Sequence, residues 1–239
     1  MARLSMKFDV VFKVQILVNG ANCDILEHEV IKMPGQKMPG QKMPTYPAIE
    51  PKRFTGLEPL IAPDGCAVGK LTDFWSWAYS DLMGNAERGA LAEYIVACAL
   101  GIETKKRVSW DKYDLMTENG IAVEVKTSGY LQTWEQKALS KPIFGIQPTF
   151  GWDSKTNEYE AEKKRQSDIY VFCVHAHTDQ ETADPLQICQ WEFYLMPTKL
   201  IDEQFGNQKT VTLASLVRAG AEKCEYSDLK NRIYAVMQK

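Results

Sequence analysis

An α/β (α+β) fold, a sheet with helices on its faces, follows from three observations. Asn85 to Leu100 reads as one long helix, and Asp114 to Lys126 reads as two short strands joined by a turn at Asn119-Gly120. Asp168–His175 and Trp191–Met196 read as strands, the first buried by its β-branched and aromatic content, the second ended by Pro197. Helix, hairpin, strands and closing helices in that order predict helices packed on a sheet.

The chain has 239 residues, enough for one large domain or one domain with additions. A hydrophobic content of 45% and a charged content of 25% are those of an ordinary globular protein that buries a full core without staples. The net charge of −3 argues against a generally basic, histone-like binder, but not against an enzyme that holds DNA on a local basic surface. Lys105-Lys106-Arg107 and Lys163-Lys164-Arg165 are the two local basic runs, and each reads equally well as solvated surface. Six cysteines lie at 23, 66, 98, 173, 189 and 224 with no C-x-x-C pair, and there is no secretory leader and no apolar run of transmembrane length. The expectation is a reduced, cytoplasmic protein with free thiols and no membrane partner.

Residues 1–50 form an N-terminal extension. Phe8 to Val18 has the character of a strand, and residues 32–44 read Lys-Met-Pro-Gly-Gln, the same again, then Lys-Met-Pro. Proline and glycine in each repeat forbid helix or central strand, so this part is expected to be an exposed linker, too short and too few in repeats for a solenoid. Residues 51–200 are expected to hold the main domain with a helical lead-in, and 201–239 a helical part packed on the same domain.

Leu71 to Met83 carries Phe74, Trp75, Trp77 and Tyr79 and reads as a helix packed on the following domain, its aromatics in the core. Asn85 is expected to cap the next helix, and Gly101 to stop it. That helix is apolar nearly all round, hence buried. Glu93 is the only charge in its interior, and a buried carboxylate is costly unless paired or near a cation. Glu93 is therefore a functional candidate, the alternative being a structural ion pair with an arginine.

The turn that follows carries a register test. A two-residue Asn-Gly loop pairs Asp114 with Val125 and puts the acid on the wrong face. A three-residue loop, Glu118-Asn119-Gly120 with Gly120 in the left-handed region, pairs Asp114 with Glu124. Lys126 then shares their face, because residues two apart on a strand point the same way, and Leu115, Val123 and Val125 go to the core. One register satisfies both core and chemistry. Two acids and a lysine so placed can hold a divalent metal and orient a water against a phosphodiester.

Ser128 to Leu139 reads as a loop leading into a helix, Pro142 to Ile146 as a short strand, and Gly151 to Glu162 as polar and turn-rich; residues 210–219 and 227–238 look helical. Tyr130, Gln132, Trp134 and Gln136 stand where they could line a site, each equally well explained as structure. Cys173, His175, His177 and Asp179 alternate along one strand, but they are too close together to wrap a tetrahedral zinc unaided.

Arg88-Gly89-Ala90-Leu91-Ala92-Glu93, then Asp114, then Glu124-x-Lys126 resembles the PD-(D/E)XK nuclease superfamily, which holds many type II restriction endonucleases, Holliday junction resolvases and repair nucleases. The resemblance covers roughly residues 85–175; Tyr113 stands in place of the leading proline, a common departure in the family. It implies a restriction-endonuclease-like core, a central mixed sheet flanked by helices. It also implies that Asp114 and Glu124 bind Mg²⁺, with Mn²⁺ as substitute and the Val125 carbonyl as third ligand. Lys126 would position and activate the nucleophilic water, and Glu93 would bind the metal through water or hold a second one; Glu87 is an alternative helix acid, but its place in the first turn is equally explained by the helix dipole. The function implied is a DNA endonuclease of restriction or genome-defence type. The alternatives are a repair or recombination nuclease, a non-catalytic nucleic-acid-binding module on the same fold, or a structural or toxin-neutralising partner. A homodimer and a defence-system or methyltransferase partner are further expectations of the resemblance.

Overall fold

The computed structural model describes residues 46, 49, 52–105, 107, 112–153 and 158–238. The expectations for Phe8–Val18 and for the 32–44 repeat lie outside these residues. The chain divides into Met1–Pro47 and Ala48–Lys239, and the fold described here lies in the second unit.

Strands β1 (Pro59–Ile61) and β2 (Ala67–Lys70) pair antiparallel and lead directly into helix α1 (Leu71–Tyr79). No residue of α1 is buried, and Trp77 is 85% exposed, so the expectation that these aromatics belong to the core is overturned. The segment is fixed by main-chain hydrogen bonds to its own lead-in, Leu71 to Glu58 and Thr72 to Gly56, rather than by burial of its side chains. Aromatic content shows that a face is apolar; it does not supply a neighbour to cover it.

Helix α2 (Asn85–Leu100) has the expected bounds. Gly84 rather than Asn85 is the capping residue, and the Asn85 side chain instead accepts from the Arg88 guanidinium at 2.6 Å. Gly101 adopts a left-handed φ of 73° and returns its N–H to the last turn, a stop that a side chain would strain.

Strands β3 (Leu115–Met116) and β4 (Ala122–Gly129) form the hairpin, with Leu115 opposite Val123 and Met116 opposite Ala122. Residues 130–142 carry no helix, contrary to expectation; Gln136 braces this loop through Gln132, Tyr130 and Ser140. After β5 (Ile143–Gly145), the stretch expected to be irregular forms an antiparallel ribbon of β6 (Thr149–Asp153) and β7 (Glu158–Lys164). Its second strand, Glu-Tyr-Glu-Ala-Glu-Lys-Lys, is largely exposed, so no apolar alternation announces it. Strands β8 (Ile169–His175) and β9 (Trp191–Pro197) are followed by helix α3 (Thr198–Phe205), strand β10 (Thr210–Thr212) and helix α4 (Leu213–Arg218). Strand β11 (Glu222–Cys224) and helix α5 (Leu229–Met237) complete the chain, so residues 210–219 are a strand and a helix rather than one helix.

The central sheet has five strands in the order β11-β9-β8-β4-β3; β4 and β8 run parallel and the other pairs antiparallel. This is the mixed sheet expected. Val123, Val125, Ile169 and Val171 meet Ala92, Ile95 and Val96 of α2 and Ile233 of α5 on one face. Tyr170, Phe172, Val174 and Met196 meet Phe144, Ile201 and Leu216 on the other. With both faces covered, every residue of β8 is buried, which is why its sequence is apolar without alternation. No helix among the described residues is long and apolar enough to cross a membrane.

A candidate active site at the β3–β4 hairpin

The loop between β3 and β4 has the three-residue form. Thr117 N–H donates to Ile121 O at 3.0 Å, Gly120 N–H to Thr117 O at 3.2 Å, and Ile121 N–H to Thr117 Oγ1 at 2.9 Å. Gly120 takes a φ of 80°, which glycine adopts without strain. The register set by Leu115 and Met116 continues to place Asp114 opposite Glu124, while Leu115, Val123 and Val125 go to the core on the α2 side.

Asp114 itself lies just before β3, outside the ladder. Its Oδ2 accepts from the Val125 main-chain N–H at 2.7 Å, which ties the acid to β4. Burial, reinforced by the Glu124 carboxylate, pushes the Asp114 carboxyl up to about 7 against the opposing pull of that N–H. Glu124 is divided between two partners: Oε1 accepts from Lys126 Nζ at 2.6 Å and Oε2 from Ser167 Oγ at 3.0 Å. Burial works against the Lys126 ammonium, but Glu124, Asp114 and Glu93 together outweigh it and raise its pKa, so it stays charged. Ser167 was not legible as a site residue; its only signal is its place two residues before the buried strand β8.

Glu93 is only 13% exposed at its side chain and is clasped by Arg107, Nε to Oε2 at 2.5 Å and Nη2 to Oε1 at 2.8 Å. The fork is the bidentate geometry that arginine offers a carboxylate. The structural ion pair weighed for Glu93 is therefore present, and Glu93 still acts electrostatically on Asp114 and Lys126. Glu87 lies in the first turn of α2.

The basic runs separate. Arg165 is buried and spends its guanidinium on Ile146 O at 2.7 Å, Gly206 O at 2.8 Å and the Asp202 carboxylate, so it is a structural brace. Lys105 donates to Met116 O at 3.1 Å, Lys163 lies over the Phe150 ring at 5.0 Å, and Lys164 pairs with Glu160 at 3.1 Å. Lys106 lies outside the described residues. The zinc alternative finds no support: His177 and Asp179 turn to Thr182, and His175 faces Gln190.

A cleft of about 180 Å³ opens beside Glu124 and Lys126, with Gln147, Thr149, Gln166 and Tyr170 among its walls. Among the described residues no group of three or more His, Cys, Asp or Glu side chains forms a metal cage. Asp114 and Glu124 are the pair that could hold a divalent cation. Mg²⁺ is commonly held by one or two carboxylates with waters and substrate phosphate completing the shell. A carboxyl pushed up by burial and by a neighbouring carboxylate is one whose ionised form a cation would favour, so the donor set suits the group.

A family model described as Bacteriophage T4 endonuclease IV matches residues 76–215, a span that contains Glu93, Asp114, Glu124, Lys126 and Ser167. No curated protein matches the chain.

Proposed function

The chain belongs to the bacteriophage T4 endonuclease IV family, and from that premise we propose that it is a DNA endonuclease whose active site is the Asp114–Glu124–Lys126 constellation. The observation that carries this reading is the three-residue loop, which sets Asp114 opposite Glu124 while Lys126 is bonded to Glu124 at 2.6 Å. That arrangement supports a PD-(D/E)XK-type site. The restriction or genome-defence setting is a reading carried by the sequence resemblance.

Asp114, Glu124 and the Val125 carbonyl would hold the Mg²⁺, which when bound would polarise the phosphate and lower the pKa of a water. Lys126 brings a fixed positive charge to the mouth of the cleft, where a scissile phosphate would lie and where charge develops on its oxygens. Glu124 restrains the Lys126 ammonium, and Ser167 in turn restrains Glu124, so neither must reorganise when substrate arrives. Asp114 is held by main chain rather than by a flexible partner, which fixes its distance from β4.

The test is cleavage of plasmid, linear and single-stranded DNA with Mg²⁺, Mn²⁺ or chelator. Metal-dependent cutting that is lost in Asp114→Ala and Lys126→Ala supports the reading. Cutting that survives both substitutions, or no cutting together with no Mn²⁺ binding by calorimetry, overturns it.

A further inference from the structure

A second cavity, of about 230 Å³, lies between α2 and β3 on the other side of Asp114. Tyr94, Ala97, Ile102, Leu115 and Met116 give it apolar walls, while Glu93, Arg107 and Asp114 form a polar end shared with the active site. Glu103 also lines it, and the Glu103 Oε2 atom is shut off from solvent with no hydrogen-bond partner among the described residues. A buried acceptor without a donor is costly and calls for a ligand or a water to satisfy it. Tyr94 is half exposed and brings a ring to the rim, and the Arg107 guanidinium, held by Glu93, presents a second planar group.

We propose that this cavity is a nucleobase pocket, taking the base of a nucleotide next to the cleaved phosphodiester; the proposal rests on the endonuclease reading of Asp114. The volume is below the ~300–1,000 Å³ typical of pockets that enclose drug-sized ligands, so one flat ring system suits it better than a dinucleotide. Apolar walls with two planar groups favour a heteroaromatic ring, and stacking of a base on such groups is sequence-tolerant. The Glu103 carboxylate adds an acceptor for an N–H on the base edge, which favours bases that present one there. A base seated here would fix the position of its own sugar-phosphate relative to Asp114, so the pocket would act on register as well as affinity.

The experiment follows the methyl resonances of Ile102, Leu115 and Met116 while the whole protein is titrated with 2′-deoxynucleoside 5′-monophosphates. 2-Deoxyribose 5-phosphate serves as the base-free control. The expected result is a saturable shift of these methyls with nucleotides and none with the sugar phosphate. Glu103→Gln, at a partly exposed site that should tolerate it, is expected to weaken the preferred nucleotide by about tenfold or more. Ala97→Phe is expected to abolish the shift by filling the cavity, with Glu103→Gln as the informative variant if that one misfolds. No methyl shift, an equal shift with the sugar phosphate, or nucleotide affinity unchanged in Glu103→Gln overturns the proposal. Because the readout is binding, DNA cleavage without base binding sinks the pocket alone, and base binding by a protein that neither cuts DNA nor binds Mn²⁺ sinks the nuclease reading alone.

Discussion

The Asp114 carboxylate accepts a hydrogen bond from the Val125 main-chain N–H at 2.7 Å, although Asp114 lies outside the β3–β4 ladder. The acid therefore continues the hairpin with its side chain where the main chain stops doing so. It is brought beside Glu124 at the cost of ease of ionisation, and Lys126 stays charged because of the same crowding.

Asp114→Asn is expected to stabilise the metal-free protein at alkaline pH. Below the pKa of the unfolded carboxyl, near 4, the group is protonated in both states and contributes no penalty. Between that value and about 7 the folded state retains a proton that the unfolded chain releases, so stability is lost as pH rises, and the loss is complete above about 7. Asparagine keeps an acceptor for Val125 and removes the charge. Melting with chelator present should show little difference at pH 4 and a gain of roughly 1–3 kcal/mol at pH 8, about 2–4 °C per kcal/mol. Equal melting temperatures at both values would contradict the crowding.

Arg107→Ala is expected to cost more stability than Glu93→Gln. Arg107 is 54% exposed at its side chain and keeps its access to water when the Glu93 charge is removed, whereas Glu93 at 13% is left largely buried without the Arg107 cation. Denaturant titration should give about 1–3 kcal/mol for Arg107→Ala and under about 1 kcal/mol for Glu93→Gln. The reverse order would mean that Glu93 is satisfied elsewhere.

Arg165→Ala is expected to destabilise by about 3–5 kcal/mol, and Arg165→Lys to rescue little, because one ammonium cannot reproduce a fork shared by two carbonyls and Asp202. Its side chain is 1% exposed, so the salt dependence of DNA binding should not change in any variant that still folds. A reduced salt slope in folded Arg165→Ala would restore this residue to a DNA-binding surface.

Trp77→Ser on α1 is expected to change unfolding free energy by less than about 0.5 kcal/mol, since a side chain so exposed has little buried surface to lose. A loss above about 2 kcal/mol would show that this face is covered in solution.

The parts of the fold that were legible rest on short-range signals. Gly101 and Gly120 each occupy the left-handed conformation that their place in the sequence demanded, and the second fixes the register that brings Asp114 opposite Glu124. What was not legible depends on neighbours distant in sequence. Arg165 closes a basic run yet points inward because carbonyls from residues 146 and 206 await it. The aromatics of α1 look like core, yet among the described residues no partner buries them, and β7 is a strand without an apolar face. Ser167 reaches Glu124 only because β8 runs parallel beside β4.

The most direct measurement is single-turnover DNA cleavage with Mg²⁺ by the wild type, Asp114→Asn, Glu124→Gln and Lys126→Met, each with its melting temperature. The predicted result is a loss of about 100-fold or more in each variant with the fold retained. Folded variants that cleave at the wild-type rate would contradict an active site at these three residues.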